Sequence, residues 1–342
     1  MNRLFLPLLI CLLLPTLAGA ADVDLGNSEP AAVTAALESA RDDGTPFHLV
    51  AQCTDEKGNR SLEAFPRGVA IWNRSAQLEL AAPVRRALVD TLLTHGFAAM
   101  EPTYGGKARQ PGAEDEPQPM EGAVEGEEAG EAALRVRCRL VFESGDVAKT
   151  SIQQAQGEQS KELTGLIASL LDRVAPLAAE SGIGAADLAD GLDKLAAGQL
   201  APETFWLRFV RLPDDGGTGR IVFVERQTLT TRRYAPKREL GDPESDALAA
   251  ERFTALVESL RSADLTSMPT NLWSEDQLDL EVHVLDREAT VLARPFSRLK
   301  AAAGEERGEA QKRFDTLVGF LRQALLGEEM EMEGEAMETA TE

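Results

Sequence analysis

Basic residues, histidine, cysteine and aromatic side chains are all scarce in this chain of 342 residues. Only 35 Lys and Arg stand against 57 Asp and Glu, a formal charge of −22. That deficit argues against a nucleic-acid partner, because phosphate binding needs a basic surface. Aromatics make up 5% of the chain, too few for rows of stacking platforms under sugars or bases. Three histidines and three cysteines give a multi-ligand zinc or haem site little to draw on, so no cofactor is expected. The sequence also lacks a GxSxG elbow, an HExxH pair, a phosphate-binding loop and an EF-hand. Gly182-Ile183-Gly184 resembles the start of a dinucleotide fingerprint, but it follows a helical pattern rather than a strand.

One apolar run is present, at the N-terminus. MNRLFLPLLICLLLPTLAGA has one Arg, an apolar stretch from Leu4 to Leu17 broken by Pro7 and Pro15, and the small residues Ala18-Gly19-Ala20. This is the pattern of a secretory signal (1–20) cleaved after Ala20, and the stretch is too short to span a bilayer comfortably. No later run is long enough either, so the expectation is a periplasmic or secreted protein without stable membrane insertion. Cys53 and Cys138 then remain in a compartment that permits disulfides. Cys53 shares a strand face with Phe47, Leu49 and Ala51, and Cys138 shares one with Leu134, Val136, Leu140 and Phe142. A structural bridge between them is the favoured reading, and two separately buried thiols are the alternative. On the loop-entropy account the bridge stabilises the fold by about 4 kcal/mol.

The element order repeats. A short helix over 30–42 leads into strands FHLVAQC (47–53) and GVAIWNRSAQLEL (68–80), with a polar turn between them. A helix over 82–95, strands LRVRCRLVFES and VAKTSIQQ, and a helix capped by Ser160 complete the first β-β-α-β-β-α set. The second set runs FWLRFVRL (205–212), RIVFVERQTLTTRRY (220–234), a helix over 245–262, LDLEVHVLD (278–286), ATVLARPF and a helix over 306–326. ALVDTLLTHGFAAM (87–100) aligns without gaps on ALVESLRSADLTSM (255–268). The expected class is therefore α+β, with two related lobes that each carry an antiparallel sheet with helices on one face. Lobe one covers 21–181, a spacer 182–204 and lobe two 205–326. Asp187, Asp190 and Asp193 recur in the spacer at helical spacing, the pattern of a solvated face.

Two acidic segments lie outside this plan. An insert over 103–133 and the tail 327–342 are rich in Gly and Glu and poor in large apolar residues, so both are expected to be disordered. Residues 114–131 hold eight acids and the tail holds seven, with no Lys or Arg in either. The lobes themselves are then only mildly acidic.

The most specific surface feature is a charge contrast on equivalent strands. Arg135, Arg137 and Arg139 share the non-core face of one, and Asp279, Glu281 and His283 share that of its counterpart. Complementary faces of this kind dock two lobes or orient a partner, while two independently solvated faces are the plainer reading. His48 and His283 fall opposite the apolar faces and read as exposed structural histidines. Trp206, Arg208 and Val210 back onto Phe205, Leu207 and Phe209, so that strand is either covered on both sides or offers a binding surface.

FWLRFVRLPDDGGTG, ALVESLRSADLTSMP and DQLDLEVHVLD, in that order, resemble emfourin-type protein inhibitors of metalloproteases over about 120 residues of the second lobe, a likeness of element order and one turn. The resemblance implies a protease inhibitor, without assigning inhibitory residues. The residues themselves point to a non-enzymatic protein acting by contact with another protein. A hydrolase with a scattered carboxylate site is the third alternative, with no catalytic residue to name.

Overall fold

Alternating apolar residues in the strands and apolar stripes on the helices generate two sheets with the same strand order. The computed structural model describes residues 27–55, 58–104, 136–154, 160–214, 217–234, 240–269, 272–295 and 308–327. The signal-like segment and nearly all of both acidic segments lie outside the described residues. The chain divides into two compact units, Met1–Ala70 with Leu80–Pro176, and Ile71–Glu79 with Leu177–Glu342.

The first sheet follows helix α1 (Pro30–Asp42). Its strands are β1 (His48–Asp55), β2 (Gly58–Ala64), β3 (Val69–Trp72), β4 (Ala76–Glu79), β5 (Thr103–Tyr104), β6 (Val136–Ser144) and β7 (Val147–Gln154). Helix α2 (Ala82–Thr94) precedes β5, and α3 (Lys161–Ser181) follows β7. The second sheet has β8 (Phe205–Leu212), β9 (Gly219–Glu225), β10 (Thr228–Tyr234), β11 (Glu244–Ala247), β12 (Leu272–Ser274), β13 (Gln277–Val284) and β14 (Arg287–Pro295). Its helices are α4 (Leu188–Ala196), α5 (Ala250–Ala263) and α6 (Glu309–Leu321). The orders are β4-β3-β2-β1-β6-β7-β5 and β11-β10-β9-β8-β13-β14-β12, so each strand has a counterpart seven places on. The class is α+β with two similar lobes, as expected.

The sheets are larger than the sequence suggests. Stretches 68–80 and 220–234, expected as single strands, are hairpins turned at Asn73-Arg74 and Arg226-Gln227, all four at positive φ and none a glycine. The polar turn through Gly58 opens a full strand, β2, whose Leu62 and Ala64 are buried. Each sheet also gains a parallel edge strand, β5 beside β7 and β12 beside β14, so the sheets are mixed. Thr103 and Tyr104, placed in the acidic insert from the sequence, form β5.

In the second unit, Phe205, Leu207 and Phe209 of β8 pack with Val222 and Val224 of β9 and Leu278, Leu280 and Val282 of β13. Leu188 and Leu192 of α4, Leu256 and Leu260 of α5 and Phe314 and Leu317 of α6 close the same core. Each such side chain contributes roughly 1.5–3 kcal/mol by leaving water. Leu49, Ala51, Leu140 and Phe142 are buried likewise in the first sheet, with Leu37, Leu88, Leu92 and Leu166 from its helices. Cys53 and Cys138 stand opposite each other on β1 and β6, are buried, and form a disulfide. The aligned helices α2 and α5 end alike: Gly96 and Asp264, equivalent in the alignment, both take the left-handed conformation, and a short 3-10 turn follows each. Ser160 Oγ accepts from the Leu163 amide and caps α3.

Candidate interaction face

With the helices on one side, strand alternation sends every second residue of β8, β9, β13 and β14 to the other. Register arranges these residues in rows across the second sheet. Glu225, Trp206, His283 and Glu288 form one row, and Phe223, Arg208, Glu281 and Thr290 the next. Ile221, Val210, Asp279 and Leu292 form a third. Arg232 of β10 extends the third row, and Arg294 of β14 lies two residues beyond Leu292, beside Trp273 of β12. Trp206, Ile221 and Phe223 keep partial exposure, and Leu292 is 37% exposed. The rings of Trp206 and Phe223 lie 6.3 Å apart.

A charged network runs through the middle of this face. Arg208 Nε donates to Glu281 Oε2 at 3.1 Å, and its Nη2 donates to Asp279 Oδ2 at 3.3 Å. His283 Nε2 lies 2.8 Å from Glu281 Oε1, its Nδ1 lies 3.4 Å from Glu288, and Trp206 meets its ring edge-on at 4.9 Å. Glu281 is 3% exposed, which a carboxylate tolerates only because two donors reach it. Burial pushes the Asp279 carboxyl above the ordinary carboxylate range, against the pull of Arg208, and its Oδ1 is buried without a hydrogen-bond partner.

The corresponding face of the first sheet is built from different residues. His48 sits between Glu143 and Glu63, each 2.9 Å from a ring nitrogen, and stacks on Phe65. Its side chain is 13% exposed and that of His283 is 14% exposed. Both histidines occupy the face expected from the sequence, but neighbouring carboxylates and aromatics enclose them instead of leaving them exposed. Arg137 Nε donates to the Thr54 carbonyl at 3.2 Å. Burial lowers the Arg139 guanidinium from its ordinary value, an effect that Glu143 and Glu63 partly offset. Arg135 lies outside the described residues.

Asp279 and Glu281 are thus brought together with Arg208 of their own sheet. Sequence reasoning singled out Trp206, Arg208 and Val210 by their large groups on both strand faces. It missed Ile221, Phe223, Leu292, Arg232 and Arg294, whose membership depends on the register of β9, β10 and β14. The alternation of Ile221 and Phe223 between Val222 and Val224 was the available signal.

Elsewhere in the second unit, Arg211, Pro213, Asp214, Gly217, Glu275 and Asp276 line an open cleft of about 570 Å³. Asp276 is fixed there by Arg211 Nε at 2.5 Å and Arg322 Nη2 at 3.1 Å, and among the described residues no histidine, serine or cysteine lines the cleft. Among the described residues, no group of three or more His, Cys, Asp or Glu is arranged to hold a metal ion. No helix among them is long and apolar enough to cross a membrane. No known protein family matches the chain, and no curated protein matches it.

Proposed function

We propose that this is a non-enzymatic periplasmic or secreted protein, built from two duplicated lobes, that acts by protein contact through the open face of its second sheet. One observation carries the reading. Trp206, Phe223, Ile221 and Leu292 sit together on the side of the sheet opposite its helices, around a hydrogen-bonded Arg–carboxylate network. Aromatic residues and arginine beside desolvated charge are the composition of interface hot spots, whereas the solvated face of a sheet is mainly polar. The secretory pattern of residues 1–20 and the Cys53–Cys138 disulfide support an oxidising compartment.

A photo-crosslinking amino acid placed at exposed Thr290, on this face, tests the proposal in the producing cell, with exposed Glu251 on α5 as the control position. A discrete crosslinked species from position 290 and none from 251 is the expected result. Equal crosslinking from both positions, or none from 290, would remove the face from consideration.

A further inference from the structure

We infer that a groove between α5 and α6 is the docking site of the acidic tail that follows it, with residues 328–333 of this same chain as its occupant. The groove, of about 380 Å³, is lined by Arg252 and Ala255 of α5, Phe320 of α6, and Gln323 and Ala324 just beyond it. Ala255 is exposed and Phe320 and Ala324 are half-buried, so the apolar part of the lining still meets water. Where α6 ends, the chain continues in a wider π-type turn, Arg322–Leu326. Two arginines close on that turn. Arg252 Nη2 donates to the Ala324 carbonyl, and Arg220 Nη1 of β9 donates to the Leu326 carbonyl at 2.9 Å. A carbonyl orients a guanidinium without neutralising it, and among the described residues neither arginine has a carboxylate within ion-pair distance. Glu258, an acid on the same stretch of α5, is already held by Arg261 at 3.0 Å.

Position and chemistry together name the occupant. The turn ends at Gly327, whose left-handed φ of 66° takes the chain off the helix axis while its amide returns to the Arg322 carbonyl. Met330 can stand at most about 10 Å from Gly327, and Ala324 of the groove lies less than one helical turn behind it. The residues after Gly327 read Glu-Glu-Met-Glu-Met-Glu, and the tail to 342 holds seven Glu and no Lys or Arg. Laid along the groove as an extended strand, this run sends Met330 and Met332 to one side and Glu329, Glu331 and Glu333 to the other. Methionine adapts to an irregular apolar gap such as that between Ala255, Phe320 and Ala324. The glutamates then stand at the rim, within reach of Arg252, and Glu328 follows the root of the tail beside Arg220. Too polar to build a core of its own, the segment needs only a weak contact to be held. Tethering at this distance supplies an effective concentration in the millimolar range. The docked tail is a strap across α5 and α6.

A photo-crosslinking amino acid in place of Met330, in the full purified chain, reads this contact by peptide mapping. The expected product is a crosslink within one chain to the α5 peptide that carries Arg252 and Ala255. Glu329→Lys with Glu331→Lys, which alters only the tail, should cut that yield about fivefold or more by setting like charges against Arg252. Adding Arg252→Glu to the pair should restore most of it, because the swapped charges meet again. An unchanged thermal melt confirms that the Arg252→Glu protein folds, and where the melt falls the tail pair alone decides. Crosslinks scattered over the chain, a crosslink that joins two copies, a yield indifferent to the tail charges, or a folded triple variant that fails to recover would each overturn the tail as occupant.

Discussion

At the centre of the first sheet's open face, Val50 of β1 stands opposite Val141 of β6. At the same place in the second sheet, Arg208 of β8 stands opposite Glu281 of β13. The strand order around the two pairs is identical, so topology does not account for the difference. In the first face His48 takes both Glu63 and Glu143 and Arg137 donates to a backbone carbonyl, while Arg139 is drawn to those same glutamates only at longer range. In the second, Arg208 and His283 hold Glu281, Asp279 keeps one oxygen buried without a hydrogen-bond partner, Arg294 attracts Asp279 at longer range, and four large apolar groups keep contact with water. One scaffold therefore supports a face centred on a valine pair and a face centred on a charged network beside large apolar groups.

The largest expected effect tests whether the two units are held by different means. The Cys53–Cys138 bridge closes a separation of 85 residues. Its counterpart positions on β8 and β13 are Arg211 and Leu278, and Arg211 is pinned instead to Asp276. Replacing both cysteines with alanine should destabilise the first unit by about 4 kcal/mol on the loop-entropy account. Hydrogen exchange measured on peptides of β1 and β6 should rise steeply, while peptides of β8 and β13 keep their protection. Equal loss in both sets would mean that the units do not hold separate stabilities.

Much of this comparison was legible in the sequence, for identifiable reasons. Phe47, Leu49, Ala51 and Cys53 alternate cleanly, and that alternation gave the correct core face and the bridge. The gapless match of 87–100 to 255–268 placed Gly96 on Asp264, the residues that end both helices in the left-handed conformation. The hairpins escaped notice because their turns rest on Asn73-Arg74 and Arg226-Gln227, not on glycine, and flanking β-branched and aromatic residues bridge the break. Strand β2 escaped because only Leu62 and Ala64 mark its core side, and Arg60, on that same side, is drawn out to Asp172 of α3. The contact face was half legible. Trp206 and Arg208 stand out on one strand, but Phe223 and Leu292 join them only through cross-strand register, which no local pattern encodes.

A second, somewhat smaller effect asks whether the central charge pair is a structural necessity or a replaceable part. Arg208→Ala leaves Glu281 buried at 3% exposure with His283 as its one remaining partner, at a cost of about 3 kcal/mol. Copying the first sheet by Arg208→Val with Glu281→Val should recover part of that loss, because Glu281 is no longer a poorly paired buried charge while Asp279 still loses its Arg208 donor. Urea denaturation of the three proteins decides it. A double variant as unstable as Arg208→Ala would show that the two faces are not interchangeable at their centres.

The smallest effect concerns the buried sides of the sheets, where the contrast reverses. On the helix-facing side of β7, Lys149, Ser151 and Gln153 are buried, whereas β14 carries Ala289, Val291 and Ala293 at the matching places. Lys149 is 4% exposed, and its Nζ donates to the Met100 carbonyl at 2.7 Å. Burial lowers its ammonium from the ordinary value of 10.5, since the charged form loses more hydration than one carbonyl returns. Between the folded value and 10.5 the unfolded chain binds a proton that the folded chain releases, so the first unit gains stability as pH rises through that window. The slope reaches at most about 1.4 kcal/mol per pH unit, and it vanishes below the folded value, where both states are protonated. Lys149→Met removes the titrating group and should flatten this slope, as the second unit's Ala289 already does. Urea midpoints for peptides of β6 and β7, followed by hydrogen exchange across alkaline pH, measure it. A slope that survives the substitution would assign the alkaline gain to another group.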